Sequence, residues 1–164
     1  MIVSIRPLKE SDAFISYKWR NDPEVFKYTG RTYDKEIDSK CEVEWLREVI
    51  KRTTEYRCAI LADNVYVGNI YLTDITQKSA TYHIFIGEKD YWGKGVAKKA
   101  SLIILEYAFN VLGLELVNLS VKTKNESARR LYERLGFLEQ SLEGDWIHMS
   151  LSHDTYMDII TCSS

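Results

Sequence analysis

A short stretch at residues 91–97 carries the residue types that bind phosphate groups. It reads Tyr-Trp-Gly-Lys-Gly-Val-Ala, and it lies between a predicted strand and a long apolar segment typical of a helix. Gly93 and Gly95 allow the backbone to turn tightly and to approach a ligand closely. The free N–H groups and partial positive charge of a helix start bind anions such as a pyrophosphate. With Lys94 and Lys98 nearby, the stretch predicts a phosphate-binding loop, the alternative being a glycine-capped helix without a ligand.

This loop differs from the two best-known nucleotide-binding motifs. Gly87 and Gly93 are separated by five residues instead of the four of a P-loop, and Gly95 stands where Ser or Thr should follow the lysine. The strands predicted before the loop form hairpins, whereas a dinucleotide-binding fingerprint needs a βαβ unit. An unrelated nucleotide-phosphate protein is therefore the weaker alternative.

A second informative segment covers residues 125–137, Asn-Glu-Ser-Ala-Arg-Arg-Leu-Tyr-Glu-Arg-Leu-Gly-Phe. Asn125 or Ser127 can open a helix there, and Gly136 can end it. Asn125 and Tyr132 lie seven residues apart, about two helical turns, so they share nearly the same helix side. The pattern fits either a ligand-facing pair or a helix cap followed by a core aromatic residue.

The elements that position these segments follow from the hydrophobic period along the chain. The first third of the chain reads as helical, with a helix cap at Ser11 or Asp12. Within the strand predicted at 65–73, Gly68 indicates a bulge or a close backbone approach. The middle predicts an antiparallel meander of three strands. Helices are expected at 42–52 and from 96 to about 112, strands at 56–62, 65–73, 80–86 and 116–121, and a hairpin at 137–142 and 146–151.

This order predicts one α/β domain over residues 1–164, with a central mixed sheet of six to seven strands and helices on both faces. Residues 153–164 show no clear pattern and are expected to form an irregular tail.

Composition excludes several other classes of protein. The 164 residues are 45% hydrophobic and 28% charged, and no stretch approaches the roughly 20 apolar residues of a membrane span. A formal net charge of −2 argues against nucleic acid as the main ligand. The three cysteines are too few and too widely spaced for a disulfide framework or a metal site. We therefore expect a cytoplasmic protein with no metal, no membrane partner and no nucleic-acid partner.

The two segments together resemble the GNAT acetyltransferase superfamily. The residues Gly95-Val96-Ala97 are similar to the end of the family's pyrophosphate motif, Q/R-x-x-G-x-G/A, with Trp92 where the family has Gln or Arg. Residues 125–137 are similar to its N-x-x-A-x-x-x-Y-x-x-x-G-F signature. The segments 6–8 and 19–25 resemble the branch that contains ribosomal-protein N-terminal, spermidine and nucleotide-linked amino-sugar acetyltransferases.

The resemblance implies that acetyl-CoA is the cosubstrate and that a primary amine attacks it directly in a ternary complex. It also implies that Asn125 holds the pantetheine arm and that Tyr132 lies near the thioester sulfur. A phenol with a pKa of about 10 can protonate a departing thiolate without prior ionisation. The cofactor-binding residues expected are Phe85, Ile86, Trp92, Gly93, Lys94, Gly95, Val96, Ala97, Lys98, Asn125, Ala128 and Arg129.

The remaining roles are less specified. In the family a backbone N–H on the fourth strand stabilises the oxyanion, which places this donor near Phe85 or Ile86. Many relatives carry a glutamate where this chain has Thr81, so His83 is the first candidate for the general base. His148 and Asp145 are lesser candidates.

The acceptor amine is left open, as is the choice between a monomer and a homodimer. Tyr28, Tyr33 and Glu24 are candidate acceptor-site residues, together with Trp19 and Glu42. A protein N-terminus, a polyamine, an amino sugar and an aminoglycoside all fit as acceptors. A protein that binds acyl-CoA without catalysis, as a sensor or interaction module, is the alternative function.

Overall fold

The structure is a computed structural model, and it describes residues 1–28 and 35–162. Its centre is a seven-stranded sheet with the order β1-β2-β3-β4-β5-β7-β6. Neighbouring strands are antiparallel except β4 and β5, which run parallel. The strands are β1 Val3–Pro7, β2 Tyr56–Ala62, β3 Val65–Thr73, β4 Ser79–Ile86, β5 Leu116–Lys122, β6 Leu138–Glu143 and β7 Trp146–Ser152.

Five α-helices of the described residues cover the two faces of this sheet. The helices α1 Ala13–Arg20 and α2 Ser39–Val49 pack on one face, called here the α1 face. The helices α3 Val96–Glu106, α4 Glu126–Leu135 and α5 His153–Cys162 pack on the other, the α3 face, over the larger hydrophobic core. The predicted α/β class and mixed sheet are confirmed. No helix in the described ranges is long and apolar enough to cross a membrane.

Side chains alternate between the two faces, as the period of a strand requires. On β4, Tyr82, Ile84 and Ile86 join the core of the α3 face, while Phe85 packs with the residues of the α1 face. The same alternation holds on β5 and β7, whose buried residues all belong to the core of the α3 face. The polar residues of these two strands therefore lie on the α1 face.

The predicted meander of β2, β3 and β4 is confirmed, and so is the close approach at Gly68. A Cβ at Gly68 would lie 2.4 Å from the Phe85 carbonyl oxygen of the neighbouring strand. The pairing of β2 with β3 also shifts register between Ile60 and Leu61, which is a bulge. Glycine is required at this position because any side chain would collide with the backbone of β4.

Two expectations about the ends of the chain are wrong. Residues 3–7, read as part of a helical region, form the edge strand β1, which pairs along β2. Residues 153–162, expected to be irregular, form α5. Ser152 caps this helix because its hydroxyl accepts a hydrogen bond from the Thr155 amide at 3.1 Å, and Tyr156 stacks on Phe109 at 4.8 Å. Packing onto the core therefore stabilises a helix that periodicity did not indicate.

The helix predicted from 96 to about 112 is regular only to Glu106. Residues 107–111 form a π-helical turn, in which the backbone bonds reach one residue further. The helix predicted at 42–52 begins earlier, at Ser39, because the Asp38 side chain caps it by accepting from the Cys41 amide at 2.8 Å.

Candidate active site

The two parallel strands separate into a gap towards their carboxyl ends. β4 and β5 pair only over residues 79–81 and 116–118. β4 then continues to Ile86 and β5 to Lys122 without pairing to each other. Because β4 and β5 are parallel, their carboxyl ends lie at the same edge of the sheet. From this edge the chain continues from β4 to α3 and from β5 to α4. Ligands of open α/β sheets bind in the crevice outside these carboxyl ends.

The loop before α3 presents a run of free backbone amides at this edge. Gly93 and Gly95 have φ angles of 73° and 81°, the left-handed region that glycine adopts without strain, and a Cβ built on either meets nothing within 4 Å. The amides of residues 93–98 donate no hydrogen bond to any described residue, whereas the Lys99 amide bonds to the Gly95 carbonyl at 3.2 Å. Such amides at a helix start can hold a diphosphate.

The side chains of this loop divide into solvent-facing and anchoring residues. Lys94 and Lys98 are exposed beside the free amides, where their charges add to the positive helix start. Val96 is 1% exposed and packs in the core of the α3 face, so it can offer a ligand only its backbone. Ala97, the next residue, is half-buried.

Trp92 fastens the loop to the end of β4. Its indole Nε1 donates a hydrogen bond to the Ile86 carbonyl oxygen at 2.9 Å, although 40% of the residue is exposed. The side chain that replaces the family's Gln or Arg is thus engaged with the protein backbone.

The amides of β4 point to alternate sides, and this separates the two residues predicted to provide the oxyanion donor. The Gly87 amide bonds to the Val67 carbonyl of β3 at 2.8 Å. Alternation along an antiparallel ladder then directs the amides of Ile84 and Ile86 away from β3, towards the gap. The Phe85 amide is directed towards β3 instead. Of the two predicted residues, Ile86 therefore has the suitable backbone orientation.

The start of α4 lies at the same edge of the sheet. Asn125 caps the helix, with its Oδ1 accepting a hydrogen bond from the Ala128 amide at 3.3 Å. Its side-chain amide nitrogen makes no hydrogen bond within the described part of the chain. Arg129 is engaged on the protein surface, since its Nη1 donates to the Thr123 carbonyl at 3.1 Å and its Nη2 lies 3.4 Å from Glu139. Asn125 thus keeps two N–H donors for a ligand, and Arg129 braces the loop before α4.

Tyr132 lies beside the point where β4 and β5 separate. Its ring packs edge-on against Tyr82, the first β4 residue beyond the paired segment, with 5.8 Å between centroids. Only 8% of the residue is exposed, and this burial raises the pKa of Tyr132 to about 12. The hydroxyl bonds to none of the described residues. Tyr132 is thus a protonated phenol that lies beside the gap and has no hydrogen-bond partner among the described residues.

His83 lies on the α1 face of β4, in a row of stacked side chains. Its ring stacks on Tyr71 with 4.7 Å between centroids, and Arg57 covers the other side of Tyr71 at 4.3 Å. The His83 Nε2 lies 2.9 Å from the Thr73 hydroxyl. Burial, assisted by the Arg57 charge, lowers the pKa of His83 to about 4. His83 is therefore a weaker base than its residue type predicts.

A family model described as an acetyltransferase (GNAT) domain matches residues 3–138. The chain belongs to the GNAT acetyltransferase family.

Relatives of this GNAT protein include enzymes and structures with named acceptors. The spermidine N(1)-acetyltransferase of Escherichia coli K12 is 29% identical over 161 residues, which are 96% of this chain and 83% of that protein. The Vibrio cholerae spermidine N-acetyltransferase, solved with CoA and spermine, has a TM-score of 0.84 at 24% identity and covers 94% of this chain and 98% of that one. The nucleotide-linked sugar GNAT FdhC has a TM-score of 0.83 at 22% identity, covering 98% and 92%.

The carboxylates predicted to line the acceptor site of this GNAT protein have basic partners. Glu24 pairs with Lys89 at 2.9 Å. Glu42 is 1% exposed and accepts hydrogen bonds from the Ser16 hydroxyl at 3.0 Å and from Arg20 at 2.9 Å. Glu42 thus acts as a buried link between α1 and α2.

The aromatic residues predicted to line the acceptor site differ in burial and in their contacts. Trp19 is buried and donates its indole N–H to Glu88 at 2.9 Å, so it joins α1 to the segment that follows β4. Tyr28 is half-buried and lies under the Lys27 ammonium at 5.2 Å. Tyr33 lies outside the residues that the structure describes.

The two lesser candidates for the base differ in their surroundings. Asp145 pairs with Lys122 at 2.9 Å. His148 bonds to Ser120 at 2.7 Å and to Glu143 at 3.2 Å. Ser120 and Glu143 were not singled out from the sequence, because only the pairing of β5 with β7 brings them to His148. Within residues 1–28 and 35–162, no group of three or more His, Cys, Asp or Glu side chains is arranged to hold a metal ion.

Proposed function

We propose that this protein transfers an acetyl group from acetyl-CoA to a primary amine, and that residues 1–164 act as one catalytic domain. The observation that carries the proposal is the run of free amides at residues 93–98, placed beside the gap between β4 and β5. This arrangement offers donors for a diphosphate and an open path between two strands for an extended chain. CoA contains both of these parts, a diphosphate and an extended pantetheine arm.

The amides at 93–98 hold the diphosphate, with Lys94 and Lys98 balancing its charge. The pantetheine arm lies in the gap, where its amides meet backbone groups of β4 that have no partner on β5. The Asn125 side-chain nitrogen donates to this arm from the other border of the gap. Acetyl-CoA supplies the activated acetyl group.

Two groups of the chain then serve the chemistry at the thioester. The Ile86 amide, directed into the gap, donates to the carbonyl oxygen as negative charge develops there. Tyr132 gives its proton to the sulfur as the bond to the acetyl carbon breaks. Its raised pKa, about 12, keeps the phenol protonated over the whole range in which such an enzyme works.

The acceptor amine approaches from the α1 face, where His83 and Phe85 border the gap. We propose a small molecule carrying one reactive amine, such as an amino sugar, in preference to a polyamine. Two of the carboxylates on this side have basic partners, Glu24 with Lys89 and Glu42 with Arg20. These ion pairs reduce the negative charge that the two carboxylates offer to a polycation.

Product formation with a panel of amines tests the proposal. Spermidine, a nucleotide-linked amino sugar, an aminoglycoside and a peptide with a free N-terminus are each incubated with acetyl-CoA. Acetylated product is detected by mass spectrometry, because the exposed Cys41 and Cys162 would react with the thiol reagents used to detect free CoA. Acetylation of the amino sugar is the expected result, and acetylation of spermidine alone would reject the preferred acceptor.

Binding is measured separately from turnover. Acetyl-CoA should raise the melting temperature of the wild type, since a ligand that binds the folded state stabilises it. Gly95→Val should lose this shift, because a side chain would fill the open space beside the free amides of residues 93–98. Gly144→Val is the matched control, since Gly144 also has a positive φ, 62°, and open space around its Cβ position. Binding without turnover of any amine would favour the non-catalytic acyl-CoA sensor.

A further inference from the structure

A chain of three polar side chains lies on the α1 face of β5, β7 and β6. The Ser120 Oγ lies 2.7 Å from the His148 Nδ1, and the His148 Nε2 lies 3.2 Å from a Glu143 carboxylate oxygen. Strand pairing places Ser120 directly opposite His148. The β6–β7 hairpin brings Glu143 to the other side of the ring. A hydroxyl, an imidazole and a carboxylate are thus joined in series.

The hydrogen-bonding capacity of each group determines which atom donates and which accepts in the two hydrogen bonds. An ionised carboxylate can only accept, so the bond to Glu143 places a proton on the His148 Nε2. In the neutral imidazole the Nδ1 then carries the lone pair, so it accepts a hydrogen bond from the Ser120 hydroxyl. The oxygen of Ser120 keeps its lone pairs for a third group. In hydrolases, a base that is oriented by a carboxylate on one side and bonded to a hydroxyl on the other takes the proton of that hydroxyl.

The series borders the gap between β4 and β5. Asn118 is the last β5 residue paired with β4, and Ser120 is the next residue on the same face. Its neighbours Leu119 and Val121 are buried in the core of the α3 face, so the Ser120 hydroxyl lies on the α1 face. Ser120 is exposed, as is 38% of the His148 side chain. The Ser120 oxygen is therefore accessible from the face on which the amine is proposed to approach.

Glu143 is the carboxylate bonded to His148, and the other groups on the neighbouring strands are a paired lysine and an uncharged serine. On β5 the charged residue is Lys122, which is bonded to Asp145 at 2.9 Å and lies 4.3 Å over the Trp146 ring. On β6 the residue paired with His148 is Ser141, which is uncharged.

We propose that Ser120, His148 and Glu143 form a proton relay that deprotonates the acceptor amine, an inference that rests on the proposed function. One N–H bond of the bound ammonium breaks, and its electron pair stays on the nitrogen, which attacks the thioester carbonyl. The released proton goes to the Ser120 oxygen while the Ser120 proton goes to the His148 Nδ1. The nitrogen loses a second proton as the C–S bond breaks, and this proton replaces the one that Tyr132 gives to the sulfur. The imidazolium is held by Glu143, and it returns the proton to solvent through its exposed side.

The pH dependence of kcat/KM for the acceptor tests the relay. With the relay, the protonated amine is a competent substrate, and kcat/KM levels off well below the pKa of the amine, about 10.4 for a lysine-like group. In His148→Gln only the free amine reacts, so kcat/KM at pH 7 falls by about 10²-fold and keeps rising about tenfold per pH unit towards that value. Ser120→Ala should give the same profile. Glu143→Gln should give a smaller loss, because Glu143 only orients the ring.

Two variants control for nonspecific effects. His153→Gln removes a histidine that packs against Phe109 on the opposite face, and Ser150→Ala removes a hydroxyl from the same face of β7. Both should keep the wild-type profile, and all variants should keep the acetyl-CoA-induced shift in melting temperature. Wild-type turnover with an unchanged profile in His148→Gln would overturn the relay alone. Failure of the wild type to acetylate any amine would overturn the proposed function, and the relay with it.

Discussion

The indole N–H of Trp92 donates to the carbonyl oxygen of Ile86 at 2.9 Å. This bond closes a loop between the last residue of β4 and the start of the amide run before α3. A backbone carbonyl and amide of one strand residue point to the same side, so the bond also orients the Ile86 peptide groups at the edge of the gap. In this chain a tryptophan, at the position where the family motif has Gln or Arg, therefore positions the loop.

Replacement of Trp92 by phenylalanine should weaken acetyl-CoA binding. An aromatic ring is kept, although phenyl is smaller than indole, and one neutral hydrogen bond is lost. Such a bond is worth about 0.5–1.5 kcal/mol, so the KM for acetyl-CoA should rise about 2- to 13-fold. The melting temperature of the free protein should change little because Trp92 is exposed. Steady-state kinetics with varied acetyl-CoA measure the effect, with Trp146→Phe as the control. An unchanged KM would show that the bond does not position the loop.

Replacement of Tyr132 by phenylalanine should lower kcat by about 10²-fold, because general acid catalysis of thiolate departure is lost. Folding should be nearly unaffected, since the hydroxyl bonds to none of the described residues. Tyr156→Phe is the matched control: Tyr156 lies in α5 and is also buried, but it packs against Phe109 of the π-helical turn. Wild-type turnover by the Tyr132 variant would remove this residue from its assigned role.

The stability of the protein should depend on pH through His83. The folded protein holds His83 neutral because burial lowers its pKa to about 4, whereas the unfolded chain protonates it near 6.5. The unfolded state therefore binds more protons between these values, and the free energy of unfolding falls as pH drops from about 6.5 towards 4. His83→Gln should lose less stability over this range, by roughly 2–3 kcal/mol. Urea unfolding at pH 7 and pH 4.5 measures this, and equal losses in both proteins would contradict it.

The sequence predicts the middle of the fold well because local signals agree there. The turn between β2 and β3 is marked by Asp63 and Asn64, and both adopt positive φ angles, 48° and 68°, as in a tight hairpin turn. The alternation along β4 likewise predicts which of its residues share a face. At the chain ends the signals are weaker: β1 is short and ends at Pro7, and α5 depends on contacts of Tyr156 with the core.

In the candidate site, the features that lie within one short segment are predictable from the sequence, and the contacts between residues far apart in the chain are not. The glycine loop and the Asn125 cap are visible in the sequence because each lies within one short segment. The contact of Ser120 with His148 joins residues 28 positions apart on strands that are not consecutive in the chain. The low basicity of His83 arises from burial and from Arg57 across the sheet. Neither feature has a local signal.

Gly87 should be intolerant of any side chain. A Cβ at this position would lie 2.0–2.4 Å from atoms of the Trp19 indole, a rigid ring held by its hydrogen bond to Glu88. Gly87→Ala should therefore displace Trp19 from its place between α1 and the loop after β4. Overpacking of this kind costs about 1–3 kcal/mol.

For a chain of this size, such a loss should lower the melting temperature by roughly 3–10 °C. Thermal unfolding of Gly87→Ala is compared with that of Gly144→Ala, where a Cβ meets nothing within 4 Å and only the positive φ of 62° is strained. The loss should be greater at Gly87. It should also be accompanied by a change in tryptophan fluorescence, because Trp19 leaves its buried site. Equal melting temperatures with unchanged fluorescence would mean that the indole shifts without cost and does not anchor α1 to the site.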